Sequence, residues 1–373
     1  MRLLVPFGTR PEIVKLAPVV RALRAAGDDV VVVATGQHHD ADLTDVFYAE
    51  LGVSPDVVLT AAEGAARLGS LVTGAVETVA RTRPEVVLVL GDTHTVPAYC
   101  LAARGATVPV VHLEAGLRSF NPTSVEEVNR RVAAAVCALH LAPTEQSRRF
   151  LLAEGVAPER VAVVGNPVLD ALRGSGVARR PLAERSGAVL TAHRATNVDD
   201  PARLAQLVAL VHGLAAAVGP VVFPVHPRTR RALEAAGRWA DLDVPGVTTT
   251  GPVPYSAMLD LVAGSAVVVT DSGGLQEEAS WLGVPVVVLR RSTPRWEGVH
   301  DGSAVLTGLD ADRALKAALN LTTPEAQRRT AALPCPYGDG RTGERVVRAL
   351  HDADAAGLLE LTEPDWVDRT PPR

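Results

Sequence analysis

VVVTDSGGLQEEASWLGVPVVVL, running from Val267 to Leu289, contains a strand, a glycine turn, a helix and a second strand in 23 residues. Val267–Thr270 and Val284–Leu289 are apolar on both faces, as strands of a parallel sheet covered on both sides must be. Between them Ser272-Gly273-Gly274 opens a helix over Gly274–Leu282. Such a turn presents backbone N–H groups and a helix N-terminus to an approaching anion, and the glycines leave no Cβ in the way. Glu278, one helical turn further on, can accept two hydrogen bonds from a pair of ribose hydroxyls. The same residues also read as a serine N-cap with a capping glutamate, so their neighbours must decide. Neither GxGxxG nor GxxxxGK[ST] occurs here, which argues against dinucleotide binding by the usual fingerprint and against P-loop hydrolysis.

Outward from this stretch the same alternation fills the chain. In the first half strands are expected at Leu3–Phe7, Val30–Ala34, Val57–Leu59, Val86–Leu90, Val110–Leu113 and Val161–Val164, with helices at Glu12–Ala26, Leu71–Thr82 and Glu145–Glu154. Arg173–Gly187, rich in Gly, Arg, Ser and Pro, reads as a linker. A second series follows, with strands at Ala188–Thr191, Val221–Val225 and Val247–Thr250 before the opening stretch, and helices at Pro201–Val218 and Ser256–Gly264. Alternation of this kind predicts an α/β protein with two doubly wound, Rossmann-like domains facing each other across a cleft. We place the domains at residues 1–172 and 187–340. Residues 341–373 should supply a helix, Glu344–Asp354, that packs back on the first domain, followed by a frayed tail.

Ligands of open α/β sheets bind beyond the carboxyl ends of the strands. The residues that follow the apolar runs are strongly polar: Gly8-Thr9-Arg10, Thr35-Gly36-Gln37-His38, Gly91-Asp92-Thr93-His94, Glu114, His193-Arg194, His226-Pro227-Arg228 and Asp271-Ser272. Any one of these could be an ordinary loop or cap. Seven converging on one sheet edge in each domain are harder to dismiss, and a site is expected there. Arg10 suits bidentate phosphate contact. Asp92, Glu114 and Glu126, with His193 from the second domain, suit proton abstraction from carbon and acid assistance to a leaving group. His38, His39 and Asp40 are too close in sequence to converge on one ion, and no metal site is expected.

Composition narrows the function further. There are 37 basic and 42 acidic residues, for a net charge of −5, and aromatics make up 3%. Neither a nucleic-acid-binding surface nor a base-stacking platform fits those figures. Only Lys15 and Lys316 are lysines. That one of the two lies beside the Gly8–Glu12 turn suggests a place where a compact ammonium is wanted rather than a guanidinium fork. Cys100, Cys137 and Cys335 form no CxxC pair, and the N-terminal apolar run is too short for a signal peptide or a membrane span. A cytoplasmic protein with no membrane partner is expected.

GTRPEIVKLAPVV, TGQHHD, LGDTHTVPAYCLAA, HLEAGLRSFNPTSVEEVNRR, LAPTEQS, GNPVLDAL, AHRATNVDDP, FPVHPRTR and TDSGGLQEEASWLGVP occur in that order between Met1 and Gly308. Together they resemble the bacterial non-hydrolysing UDP-N-acetylglucosamine 2-epimerases. The resemblance implies a GT-B fold, a homodimer, no cofactor and a UDP-sugar substrate. It also implies interconversion of UDP-GlcNAc and UDP-ManNAc by anti elimination of UDP through 2-acetamidoglucal. Asp92, Glu114 and Glu126 match the catalytic carboxylates, and His193 the histidine near the diphosphate. Arg10, Lys15, Met258, Ser272, Gly273, Gly274, Glu278 and Arg295 match positions that bind substrate or UDP. Gln37, His38, Arg194 and His226 match part of an allosteric UDP-GlcNAc site, although a glutamine expected near Arg67 is missing.

Three departures stand out. His193-Arg194-Ala195-Thr196-Asn197 lacks the glutamate of HRREN or HRAEN. Met258 stands where an aromatic often stacks on uracil. Arg290-Arg291-Ser292-Thr293 replaces RDTT, which reverses a charge at Arg291. Three readings therefore remain in competition with the plain epimerase. They are an epimerase for another sugar nucleotide, a glycosyltransferase on the same scaffold, and a non-catalytic nucleotide-sugar-binding regulator.

Overall fold

A computed structural model describes residues 1–36 and 45–363 of the chain. Two compact units result. The first comprises Met1–Gly116, Thr123–Val164 and the segment beginning at Gly343; the second comprises Leu117–Pro122 and Gly165–Thr342.

Among the described residues the first unit carries seven strands: β1 Arg2–Phe7, β2 Asp29–Ala34, β3 Val57–Val58, β4 Val86–Leu90, β5 Val110–Leu113, β6 Leu139–Ala142 and β7 Val161–Val163. They form one all-parallel sheet in the order β3-β2-β1-β4-β5-β6-β7. Strand order reverses between β1 and β4, which makes their carboxyl ends the expected ligand position. VVLVL of β4 shows why the sheet is covered twice. Val86, Leu88 and Leu90 enter the core made with helices Arg10–Ala25 and Thr342–Ala355, where Ile13, Leu16, Val346 and Leu350 are fully buried. Val87 and Val89 enter the opposite core with helices Arg67–Thr82 and Thr95–Gly105. Truncating a side chain such as Leu88, which is fully buried, should cost about 2–5 kcal/mol.

The second unit repeats the plan with β8 Ala188–Thr191, β9 Val221–Pro224, β10 Val247–Thr250, β11 Val267–Thr270, β12 Val286–Val288 and β13 Ala304–Leu306. The order is β10-β9-β8-β11-β12-β13, again all parallel, with its switch point between β8 and β11. Val267 and Val269 face one core and Val268 the other. Helix starts are capped as the sequence suggests: Asp200, Asp310 and Thr323 each accept a backbone N–H from the first turn of the helix they precede.

The stretch Arg173–Gly187, expected to be a linker, is instead built into the second unit. Its first residues finish helix Val168–Ser175. Further on, the Arg179 side chain donates to the carbonyls of Trp281 and Ala331, and that of Arg185 to those of Leu282 and Gly283. Its glycines and prolines suggested a free tether, but its arginines hold it to helix ends.

Candidate functional site

At the switch point of the first sheet, three strand ends place their polar residues together. Helix Arg10–Ala25 starts directly after β1, with Thr9 at its N-cap and half-buried Arg10 as its first residue. Glu12 folds back over this turn. One of its carboxylate oxygens accepts the Gly8 N–H at 3.0 Å and the Thr9 hydroxyl at 2.8 Å; the other accepts the Thr93 hydroxyl at 2.8 Å. Burial pushes the Glu12 carboxyl up to about 7, against three hydrogen bonds that favour its ionised form. This carboxylate takes up the Gly8 N–H, so that donor of the turn is not offered to an anion. It was not among the expected site residues, although the Thr-x-x-Glu spacing of a capping box marks it.

Asp92 follows β4. Arg130 donates to its carboxylate, and Asn129 Nδ2 donates to its carbonyl at 2.8 Å. Arg130 is itself held by buried Glu127 at 2.7 Å. Glu126 lies one residue earlier in the same first turn, where it accepts the hydroxyl of Ser124, the residue that caps helix Val125–Val136. Glu114 follows β5 in the left-handed region, with φ at +64°. Such a conformation costs a non-glycine residue about 1–3 kcal/mol and clusters at functional sites. Its carboxylate passes over Gly91, where a Cβ would stand 3.4 Å from Oε2. Lys15 Nζ donates to Glu114 Oε1 at 2.5 Å, and both side chains are largely buried. The structure thus brings Asp92 and Glu114 to adjacent strand ends, each with its own cation. Lys15 is spent on a carboxylate.

The second unit builds its cluster around Asp271, at the end of β11. Fully buried Asp271 accepts the backbone N–H groups of His193 and Arg194, Nδ2 of Asn197 and Nδ1 of His193, all between 2.9 and 3.2 Å. Burial opposes its charge, but the His193 ring and these amides outweigh it and hold the carboxyl down to about 2. With Nδ1 on Asp271, His193 has Nε2 left for a ligand, and its ring stands 5.3 Å from that of His226. Burial, and then the neighbouring His193, lower the His226 imidazole below its ordinary value. Arg194 and His226 therefore share the strand-end cluster of His193. Gln37 and His38, the other two allosteric candidates, lie outside the described residues.

Ser272 precedes helix Gly273–Leu282 and makes no side-chain cap. Arg295 lies against this helix start, close enough that a Cβ on Gly273 would meet its Nη1 at 3.1 Å. Its guanidinium is fixed by Glu277 at 2.8 Å, and Glu277 also accepts from Asn166 at 2.9 Å. Glu278 is buried in the same helix, with Oε1 3.9 Å from a Cβ built at Gly274. Burial, and then the Glu278 carboxylate, push the Tyr255 hydroxyl far above its ordinary value. Half-buried Met258 follows one turn after Tyr255. Ser272, Gly273, Gly274, Glu278 and Arg295 thus fall on one helix start. Of the residues that hold the His193 and Arg295 side chains, Asp271 was already among the polar strand ends expected in the site, whereas Asn197, Glu277 and Asn166 were not among the expected site residues. Among the described residues no group of three or more His, Cys, Asp or Glu side chains converges as metal ligands would.

Two Rossmann-ordered sheets, one edged with carboxylates and the other with a glycine-opened helix start, define a two-domain α/β protein of Rossmann-like fold. The chain belongs to the UDP-N-acetylglucosamine 2-epimerase family, whose family model matches residues 21–351. It is 33% identical over 366 residues to UDP-N-acetylglucosamine 2-epimerase of Methanocaldococcus jannaschii, covering 94% of this chain and 99% of that protein. It is 34% identical over 362 residues to UDP-2,3-diacetamido-2,3-dideoxy-D-glucuronate 2-epimerase of Pseudomonas aeruginosa, covering 94% and 99%. The crystal structure of the M. jannaschii UDP-GlcNAc 2-epimerase in complex with UDP-GlcNAc and UDP superposes with a TM-score of 0.85 at 32% identity. It covers 94% of this chain and 100% of that one.

Proposed function

We propose that this protein is an isomerase that interconverts UDP-GlcNAc and UDP-ManNAc. The pairing of Asp92 and Glu114 at adjacent strand ends, each carboxylate held by a buried cation, carries this reading. One carboxylate takes the C2 proton. The C1–O bond then breaks, and its electron pair leaves on the β-phosphate oxygen of UDP. The products of this half-reaction are 2-acetamidoglucal and UDP, so no redox equivalent is consumed. Re-addition of UDP, with a proton delivered to the opposite face of C2, completes epimerisation. A second carboxylic acid is required for that delivery, and Asp92, Glu114 and Glu126 are the candidates.

In this reading the first unit supplies the carboxylates and the second holds UDP. The diphosphate sits on the Ser272–Gly274 helix start, beside Arg295 and Nε2 of His193, and Glu278 takes the ribose hydroxyls. Arg10 contacts phosphate or sugar, and Lys15 positions Glu114. Incubation with UDP-GlcNAc in deuterated water tests the proposal. Deuterium at C2 together with UDP-ManNAc is expected, and absence of both refutes it.

A second reading keeps the chemistry and changes the sugar. The two relatives above act, by their names, on different sugars, yet they are 33% and 34% identical to this chain. A panel of sugar nucleotides followed by mass spectrometry decides between them. A homodimer belongs to the same proposal. Leu68 and Val76, two turns apart on helix Arg67–Thr82, and Leu101, on the helix packed against it, are each about half exposed, as residues of an apolar interface would be in a single chain. No helix among the described residues is long and apolar enough to cross a membrane. The three free cysteines suit a reducing cytoplasm.

A further inference from the structure

Beyond the β11 strand end, the second unit holds a cavity of about 290 Å³ at the carboxyl ends of β12 and β13, the latter an edge strand. Arg203, Arg290, Arg291 and Arg313 line it, and Asp310 is the one carboxylate among the lining residues. Asp310 is committed to capping, since its Oδ1 accepts the Arg313 N–H at 2.9 Å. The walls are fixed by backbone: the Thr307 N–H donates to the Val288 carbonyl and the Gly308 N–H to the Arg290 carbonyl, each at 3.0 Å.

Elsewhere in this unit several exposed arginines are answered by acids. Arg228 pairs with Asp199 at 2.5 Å, Arg230 with Glu234 at 2.8 Å and Arg238 with Asp241 at 2.9 Å. Arg203, Arg291 and Arg313 have no such carboxylate partner among the described residues. Guanidiniums facing one cavity repel each other unless an anion lies between them. Their planar forks match phosphate oxygens in pairs. Arg203, Arg291 and Arg313 against Asp310 leave the lining with an excess of positive charge that a phosphate-bearing anion, above all a diphosphate, would balance. A second cavity, of about 460 Å³, shares Leu306, Thr307 and Arg313 with the first and adds Lys316 and Arg329. It gives room for the remainder of a phosphorylated molecule.

We infer that this pocket is a binding site for a diphosphate-bearing small molecule, separate from the Ser272–Gly274 turn. Arg291, where the family pattern has an aspartate, is then the residue that turns the pocket cationic. The test is calorimetric titration of inorganic diphosphate into the full chain, with and without saturating UDP. One equivalent should bind to the UDP-saturated protein, more tightly than inorganic phosphate does. Arg291→Asp, and separately the pair Arg203→Gln/Arg313→Gln, should each weaken it by about tenfold or more while UDP affinity is unchanged. Absence of binding, equal binding in both variants, or a parallel loss of UDP affinity would each overturn the inference.

Discussion

Glu12 offers the sharpest test of the geometry around β1 and β4. Its side chain is 6% exposed and bridges two strand ends through Gly8, Thr9 and Thr93. Burial lifts its carboxyl from an ordinary 4.5 to about 7. At roughly 1.4 kcal/mol per pH unit that difference corresponds to about 3 kcal/mol. The sign follows from proton counting. Below pH 4.5 the group is protonated whether the chain is folded or not, so it contributes no pH dependence. Between 4.5 and about 7 the unfolded chain releases a proton that the folded chain keeps, and stability falls as pH rises. Above about 7 the full cost is present. Glu12→Gln removes the ionisable group while preserving the shape: the amide oxygen can accept from Gly8 and Thr9, and the amide nitrogen can donate to the Thr93 hydroxyl. The variant should therefore match the parent near pH 4.5 and exceed it by about 2–3 kcal/mol near pH 8. Urea denaturation of both proteins at half-unit steps from pH 4.5 to 8 measures the difference. A variant that is weaker by the same amount at every pH would refute the reasoning, because Glu12 would then act only as an ionised acceptor.

Asp271 should behave in the opposite sense. Its carboxyl is held down to about 2 from an ordinary 3.8, so Asp271→Asn should cost about 2 kcal/mol at pH 7, a loss that fades as pH drops from 3.8 toward 2 in the same denaturation assay. Asp92→Asn should lower turnover by about a hundredfold or more and leave UDP binding, followed by calorimetry, nearly intact; an equal loss of UDP affinity would make Asp92 structural. Lys15→Arg replaces a compact ammonium 2.5 Å from Glu114 with a fork that does not fit the same space, and turnover should drop about tenfold or more. Unchanged turnover would show that any cation serves there. Gly273→Ala puts a methyl 3.1 Å from Arg295 Nη1, and UDP should bind about tenfold more weakly, which fluorescence or calorimetric titration would detect.

What could be read from the sequence, and what could not, divides along physical lines. Valine runs such as VVLVL have no period to misread, because both faces are buried, so β4, β5 and β11 were found with their ends intact. β6, LHLA, and β13, AVL, were missed because three or four residues carry neither a period nor a distinctive run. Asp92, Glu114, His193 and Ser272–Gly274 were legible because ligands bind at strand ends, and strand ends can be located from hydropathy alone. The residues that hold them were not. Arg130 reaches Asp92 across 38 positions and Asn197 reaches Asp271 across 74, distances set by the crossovers of a parallel sheet and not by any local pattern.

The arginine bias of the chain gains its meaning from those same long-range partners. An arginine whose fork is locked, as Arg295 is by Glu277 and Arg130 by Glu127, presents a fixed charge to its neighbours and loses little further freedom when they bind. Lys15 is the exception in that group: its site beside Glu114 calls for a point charge at short range. The arginines of the β12–β13 cavity that lack carboxylate partners are the opposite case, with charge gathered and not compensated from within the unit. The like charges of those arginines repel one another at short range, a local cost that the net charge of −5 only partly offsets and that an anion seated between them would relieve.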